Sequence, residues 1–577
     1  VSGHKGFMKQ LDQQQVSFSL SHGAALPTSV LATTSLSALL NQAASCNTGV
    51  TFCSSSGQEQ IKDFQSYGDL LIEGQRILRS LRKLGLKPQD QVILQLENPR
   101  YFFASLWGCF LGGFVPIPLG VELNLPSEGE SKLYQAWELC DSPLVISDVE
   151  DNQDFSVVKV TDLLANEPDC NSHCGSLDDL ALLLFTSGST GKPKGVMLSA
   201  RNLIASIYGM SRVNRLNEQD ISLNWMPVEH VASLVMFHLT QVYLGCEQIQ
   251  VKSELILQNP LEWLDLIDRY RVTVTWSPNF AYNLVNERLG DTVHDWDLSC
   301  LRWMGNGAEA VVGETTQRFL ELLQPYGLSP TVVSPGYGMS ETCSGIAHSN
   351  DFYRNMNRDF VSVGEPIPGV SLRIVNQDHQ ILKEGEIGLL QVQGVTVTKG
   401  YYQQPELHQE LFTTDGWLNT GDLGFLRDGQ LTITGRQKDV IIINGVNFYN
   451  HDLEAVVEAL PGVAISFTAA CGVKDSQQQE HIAIFFHPEE QEGESLLKLV
   501  NSIRKSVFKQ IGVTPAYIIP VAKEKIPKTA IGKIQRSQLS QRFATGEFTA
   551  IVSEVAALFE QRGLRIIFLS WGVILYC

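Results

Sequence analysis

Apolar residues recur at helical spacing through SYGDLLIEGQRILRSLRKLGLKPQD, where Leu70, Leu71, Ile77, Leu78, Leu81 and Leu84 define one face and Gly85 is placed to end the helix. QVILQL follows as a short apolar run and predicts a buried strand. YFFASLWGCFLGGFVPIPL then reads as an apolar helix, a glycine turn and another short strand. The alternation continues: PLEWLDLIDRYR leads into VTVTWSP, LSCLRWM precedes GNGAEAV, and ETTQRFLELLQPYG precedes TVVSPGYG. Strands interleaved with helices of roughly 10–15 residues predict stacked α/β units around largely parallel sheets.

From about Gly364 turn signals come at shorter intervals. VSLRIVN, EGEIGLLQVQG and GDLGFLRDGQLTITG predict a β-rich subdomain. After Gly435 the texture becomes compact α+β: a strand at DVIIING, a helix at DLEAVVEAL, strands near SFTAACGV and HIAIFFH, a helix at SLLKLVNSIRKSVF, then AYIIPV. These shifts divide the chain into an N-terminal extension (1–50), a large domain (51–436), a small C-terminal domain (437–545) and a tail (546–577). The tail is expected to be truncated or disordered; its apolar end, IIFLSWGVILYC, falls short of the roughly 20 residues that span a bilayer.

Composition narrows the field. The chain has 577 residues, 44% of them hydrophobic, enough for a large core and several domains of roughly 150 residues each. A formal net charge of −19 argues against a nucleic-acid-binding surface. The 11 cysteines are scattered, odd in number and without a CxxC pair, which predicts reduced thiols and a cytoplasmic setting. Cys170, His173 and Cys174 lie close together, but a zinc site takes about four ligands and no second half is visible. The N-terminus lacks a basic region followed by an apolar core, so no signal peptide is expected.

LLFTSGSTGKPKG, from Leu183 to Gly195, has the chemistry of a phosphate loop. It is not the Walker type: Gly191-Lys192 is followed by Pro193, and Thr186 stands where the first glycine would be. Gly188 and Gly191 still allow backbone N–H groups to approach an anion. Thr186, Ser187, Ser189 and Thr190 offer hydroxyls, and Lys192 and Lys194 offer charge. Further along, GYGMSET (Gly336 to Thr342) gathers Tyr337, which could stack on a base, and Glu341, which could hold Mg²⁺ on a phosphate, in what reads as a loop. GNGAEA fits GxGxxA, by itself a weak sign of a dinucleotide fold. NTGDLG places Asp422 on a glycine turn, suited to ribose hydroxyls; GRQKD offers the fixed cation Arg436; PKTAIGKIQR presents Lys533 after a glycine.

Taken in order, TSGSTGKPKG, YGMSET, TGD, GRQKD and the GK of PKTAIGK resemble the core motifs of the adenylate-forming superfamily, over about residues 50 to 540. That superfamily comprises acyl- and aryl-CoA synthetases, fatty acyl-AMP ligases and the adenylation domains of nonribosomal peptide synthetases. SLNWMPVEHVASLVMFHLTQVYLGCEQI looks most similar to loading adenylation domains of hybrid polyketide–peptide synthetases. The resemblance implies an α/β fold: a large N-terminal domain of stacked α/β subdomains with a β-rich subdomain, and a small, mobile α+β lid. It also implies two half-reactions, with ATP and Mg²⁺ as cofactors. A carboxylate first attacks the α-phosphorus to give an acyl-adenylate and pyrophosphate. A phosphopantetheine thiol then takes the acyl group.

The same resemblance distributes roles. Residues 186–195 would hold the β- and γ-phosphates, and Glu341 the Mg²⁺, with Ser340 standing where the superfamily often has Thr. Gly307, Ala308, Glu309, Tyr337, Gly338, Asp422 and Arg436 would hold the nucleotide. Lys533 would bridge the substrate carboxylate and α-phosphate, then leave as the lid turns about Lys438 and brings Asn444–Gly445–Val446 to the pantetheine tunnel. His230 matches a gate near the carboxylate; Val231, Asn279, Phe280, Gly305, Asn306, Gly336 and Met339 would line the acid pocket. Domains that activate α-amino acids carry an Asp where this chain has Val231, so an acid without a free α-amine is expected: aryl, phenylpropanoid or acyl. No Gly-x-Asp-Ser-Leu carrier site follows Lys533, while FYNHDLE is similar to ligases that serve carriers. The acceptor is therefore expected on a carrier protein, in cis beyond this chain or in trans, with free CoA as the alternative. A luciferase-like oxygenase would share these motifs.

Overall fold

The computed structural model describes residues 17–33, 35–54, 62–121, 131–148, 155–187, 193–290, 292–350, 352, 360–443, 446–474, 479–490, 493–529, 532–560, 566–569 and 572–575. The first periodic stretch forms the helix Tyr67–Lys83. Ser66 starts it with a capping box: its hydroxyl accepts from the Asp69 N–H at 3.0 Å, and the Asp69 carboxylate accepts from the Ser66 N–H at 3.2 Å. Leu70, Ile77, Leu78 and Leu81 are buried, whereas Leu84, expected on the same face, is exposed at the C-cap beyond the last turn. The helix Pro99–Gly112, apolar on nearly every side, packs against it and is buried from Phe102 onward. Gly108 makes this close approach possible: a Cβ there would lie 2.6 Å from the Ile77 side chain.

Among the described residues the largest sheet has 14 strands. One half is parallel, running Gly49–Cys53, Glu247–Val251, Ile221–Asn224, Val274–Ser277, Trp303–Asn306 and Val333–Met339 side by side. At Val333–Met339 the sheet changes character: its next neighbour, Ser344–His348, is antiparallel, and the β-rich subdomain continues from there. Two segments of the expected N-terminal extension join this sheet. Leu20–His22 pairs with Val370–Val375, and Gly49–Cys53 joins the parallel half. A second, four-stranded parallel sheet contains Val115–Pro118, Gln91–Gln95, Leu144–Ser147 and Val157–Lys159.

The small domain centres on the strands Val463–Lys474, Glu480–Pro488 and Tyr517–Pro520. Leu453, Val457, Val500, Ile503 and Phe486 form one core beside the sheet; Phe485, Ile519, Leu539 and Phe548 form another. The helix Thr549–Glu560, from the expected tail, contributes the buried Ala556 to the first core, so the small domain continues past residue 545. Ile566–Leu569 pairs with Gly572–Leu575. Among the described residues no helix is long and apolar enough to cross a membrane.

Candidate active site

A cavity of about 1970 Å³ lies between the large domain and the lid. That exceeds the ~300–1,000 Å³ of ordinary ligand pockets, and gives room for more than one small ligand. The parallel strands Val274–Ser277, Trp303–Asn306 and Val333–Met339 end at it, where ligands of open α/β sheets bind.

The phosphate-loop sequence forms a hairpin. Leu180–Ser187 and Pro193–Ser199 pair antiparallel, with Thr186 opposite Lys194 and Ser187 opposite Pro193. Its tip, Gly188, Ser189, Thr190, Gly191 and Lys192, lies outside the described residues. Thr186 and Lys194 line the cavity. The Lys194 ammonium sits 4.8 Å over the ring of Tyr401, whose hydroxyl donates to the Glu341 carboxylate at 2.8 Å. Glu341 is buried, and its carbonyl accepts from the Thr398 N–H at 2.8 Å. GYGMSET is not a loop: Gly336–Met339 end the strand Val333–Met339, and Ser340–Thr342 form a 3₁₀ turn. Cross-strand pairing with Ser344–His348 overrides the local glycine signal.

Asp422 likewise sits inside a strand, Leu418–Arg427, opposite Arg436, rather than on a glycine turn; the preceding Gly421 has φ +76°. Its buried carboxylate accepts from the Tyr337 hydroxyl at 2.5 Å and pairs with Arg436 Nε at 3.0 Å. Burial, then the Asp422 charge, holds the Tyr337 phenol well above its usual range, and Asp422 likewise raises Arg436.

Lys533 reaches the same cavity from the lid. Desolvation and then the Arg436 charge push its ammonium down to about 8, with Asp422 and Asp439 opposing. Burial, helped by the Lys533 charge, lowers His230 to about 4. Burial raises Glu309 to about 7, against the opposing pull of the Phe280 N–H at 2.6 Å and of Lys533. The fold thus brings His230, Glu309, Asp422 and Arg436 within electrostatic reach of Lys533. Gly532 packs the Lys533 loop on the large domain: at φ +80°, a Cβ there would lie 2.9 Å from the Phe280 ring. Arg536 ties the loop to the lid through Glu454 at 2.6 and 2.7 Å, and approaches Asp439 at 3.9 Å. Lys438 lies in the 3₁₀ turn Gln437–Asp439 that leads into the lid strand Val440–Ile443; Val446 is exposed, and Asn444 and Gly445 are outside the described residues.

Of the expected acid-pocket residues, His230, Val231, Gly305, Asn306, Gly336 and Met339 line the cavity, as do Gly307, Ala308, Gly338 and Ser340. Asn279 and Phe280 do not. Asn279 braces the wall from behind, its Oδ1 accepting from Asn306 Nδ2 at 3.3 Å and from the Val312 N–H at 3.0 Å. Phe280 faces Gly532 instead. His230 lies near-parallel to Trp276, with centroids 5.9 Å apart, and its Nδ1 accepts from the Ala232 N–H at 3.3 Å. Val231 is buried at the start of the π-helical segment Ala232–Leu239. The neighbouring Glu229 turns towards Gly120, where a Cβ would lie 2.7 Å from its Oε1. Sequence reading gave no role to Tyr401, Glu454 or Arg536. Arg536 ends PKTAIGKIQR and Glu454 ends FYNHDLE, but nothing in the spacing pairs them. Among the described residues no group of three His, Cys, Asp or Glu could hold a metal. A cation at Glu341 therefore fits only with ligand oxygens completing its shell, as phosphates do.

The AMP-binding enzyme family matches residues 58–402, and the Disco-interacting protein 2-like AMP domain family matches residues 438–553. The chain belongs to the AMP-binding, adenylate-forming ligases. More narrowly, it is similar to adenylation domains of nonribosomal peptide synthetases. The structure of McyG A-PCP complexed with phenylalanyl-adenylate is 40% identical, covers 95% of this chain and 89% of that chain, and superposes with a TM-score of 0.88. An adenylation, ketoreductase and pseudo Asub structure of a keto acid-selecting module is 37% identical, covers 95% of this chain and 48% of that one, with a TM-score of 0.88. Nonribosomal peptide synthetase apvA of Aspergillus terreus (strain NIH 2624 / FGSC A1156) is 32% identical, over 85% of this chain and 56% of its own length. The chain spans about half the length of the curated relatives it matches.

Proposed function

We propose that the chain activates an aryl, phenylpropanoid or other acyl acid without a free α-amine, and loads it on a carrier protein in polyketide or nonribosomal peptide biosynthesis. A carboxylate oxygen attacks the α-phosphorus of ATP, the bond to the β-phosphate bridge breaks, and pyrophosphate leaves. A phosphopantetheine sulfur then attacks the acyl carbon and AMP leaves. Such a transfer needs alignment and charge neutralisation. Thr186 and Lys194 stand on the hairpin beside Glu341, suited to the β- and γ-phosphates. Glu341 would hold Mg²⁺, which when bound draws charge from those phosphates. Asp422 would take the ribose hydroxyls, with Tyr337 beside the base. Lys533 supplies the mobile positive charge at the carboxylate and α-phosphate. His230, with its pKa pushed down to about 4, meets the carboxylate as a neutral imidazole and leaves the charge to Lys533.

The observation that carries the substrate reading is Val231, buried in the cavity wall next to His230. A substrate ammonium placed against it would lose its ion pair. Similarity to keto acid-selecting domains supports an amine-free acid, and the A-PCP neighbour supports a carrier as acceptor. The test is acid-dependent ATP–pyrophosphate exchange over aryl, phenylpropanoid, fatty, 2-oxo and α-amino acids. Exchange is expected with an amine-free acid and not with amino acids. Phenylalanine is the sharpest competitor, and exchange chiefly with it would overturn the Val231 argument while leaving acid activation intact.

A further inference from the structure

Cross-strand register gathers one row of side chains on the floor of the acid pocket. Trp276 is paired with Gly305, Gly305 with Ser334, and Gly336 with His348. Paired residues share a sheet face, and Trp303, two before Gly305, shares it too. Trp303, Ser334, Ser344 and His348 all line the cavity, and each is more than nine-tenths buried. The Trp303 Nε1, the Ser334 and Ser344 hydroxyls and both His348 ring nitrogens have no hydrogen-bond partner among the described residues. Buried polar groups are normally paired, so a cluster of unpaired ones on residues that line one cavity points to a ligand that pairs them. Ser344 is moreover held at φ +114°, a conformation unfavourable for a residue with a side chain.

The chemistry of that ligand group follows from the floor. Burial pushes His348 down to about 4, so its ring is neutral, with one nitrogen donating and one accepting. Serines donate and accept; the indole donates. None of these groups carries a fixed charge. A neutral group that both donates and accepts matches them, and a hydroxyl is the smallest such group. The lining is aromatic: Trp276 and Met236 also border the cavity, while Trp303 and His348 lie with centroids 6.3 Å apart. Gly305 and Gly336 keep that slot open, since a Cβ would lie 2.6 Å from the Trp303 ring and 2.7 Å from the His348 ring respectively. His230 stacks on Trp276, whereas His348 lies three strands further along the sheet, beyond Trp303–Asn306 and Val333–Met339, which sets the floor away from the His230 and carboxylate end.

We propose that Ser334, Ser344 and His348 are specificity-determining residues that select an aromatic acid bearing a hydroxyl on the ring end remote from its carboxylate. This rests on the acid-activation reading above. The test compares kcat/KM for pyrophosphate exchange with matched acids: 3-phenylpropanoate and phenylpyruvate against their 3- and 4-hydroxyphenyl counterparts. A hydroxylated member is expected to be favoured at least ~10-fold, because a site built to bond a hydroxyl rejects the analogue without it. The S334A/S344A double variant and His348→Leu should bring that ratio towards one while keeping exchange with the unsubstituted acid within a few-fold. A merely structural role would lower both members together, and equal use of both by the unaltered protein would overturn the proposal. Calorimetry with the paired acyl-sulfamoyladenosines reads the same preference without catalysis. If no acid supports exchange, acid activation fails, and those binding constants decide the hydroxyl reading by themselves.

Discussion

On the proposed cycle, Lys533 concentrates the chemistry of the site in one side chain. With its ammonium pushed down to about 8, it is mostly charged at neutral pH and loses that charge as pH rises. On the proposed cycle, kcat/KM for adenylate formation should fall as pH climbs through about 8, and Lys533→Arg should remove that limb from the pH profile. Lys533→Ala should lower adenylate formation ~100-fold or more, by the usual loss on removing a group that stabilises transition-state charge. Thioester formation from supplied acyl-adenylate should be spared, and equal loss of both steps would falsify this division of labour. Lys533 could be read from the order of the motifs. Tyr401 and Glu454 could not, because hydrogen bonds between distant parts of the chain leave no spacing along it. Asn279 and Phe280 were legible as neighbours of the pocket, but sequence does not say that both would point away from it.

At the scale of elements, helical periodicity was a dependable guide, and the helix Tyr67–Lys83 needed only its cap to be complete. The lid strands and helices also followed their apolar runs. GYGMSET and NTGDLG read as a loop and a turn because glycine marks turns locally, yet sheet pairing draws Gly336–Met339 and all of NTGDLG into strands. The Lys533 loop depends on its own glycine in a different way. Gly532→Ala meets both a left-handed backbone, at roughly 1–2 kcal/mol, and the Phe280 ring. Adenylate formation is expected to drop at least ~10-fold with the thioester step little changed, as separate assays of the two half-reactions would show. A matching loss in the second step would mean that the loop is simply misfolded.

The molecule as a whole is held with the Lys533 face of its lid turned inward, and the proposed cycle requires that face to leave. Lys438 occupies the 3₁₀ turn where large domain and lid join. Proline's fixed φ of about −65° falls within the 3₁₀ range, so Lys438→Pro should hold the present arrangement. Pyrophosphate exchange is expected to persist within a few-fold while carrier acylation falls ~10-fold or more; undiminished acylation would place the hinge elsewhere. That a large α/β domain is followed by a smaller α+β one was legible in the change of pattern along the chain. The pairing of Leu20–His22 with the sheet was not, because a three-residue edge strand is too short to carry periodicity.

The strand Val333–Met339 has a consequence for inheritance. Ser334 near its start faces the acid floor, and Tyr337 near its end bonds Asp422 on the nucleotide side. On the proposed cycle, one short peptide serves two ligands. Exchanging it between homologues to change the accepted acid would also perturb ATP affinity, so new specificities should arise more readily by replacing side chains in place than by transplanting the segment.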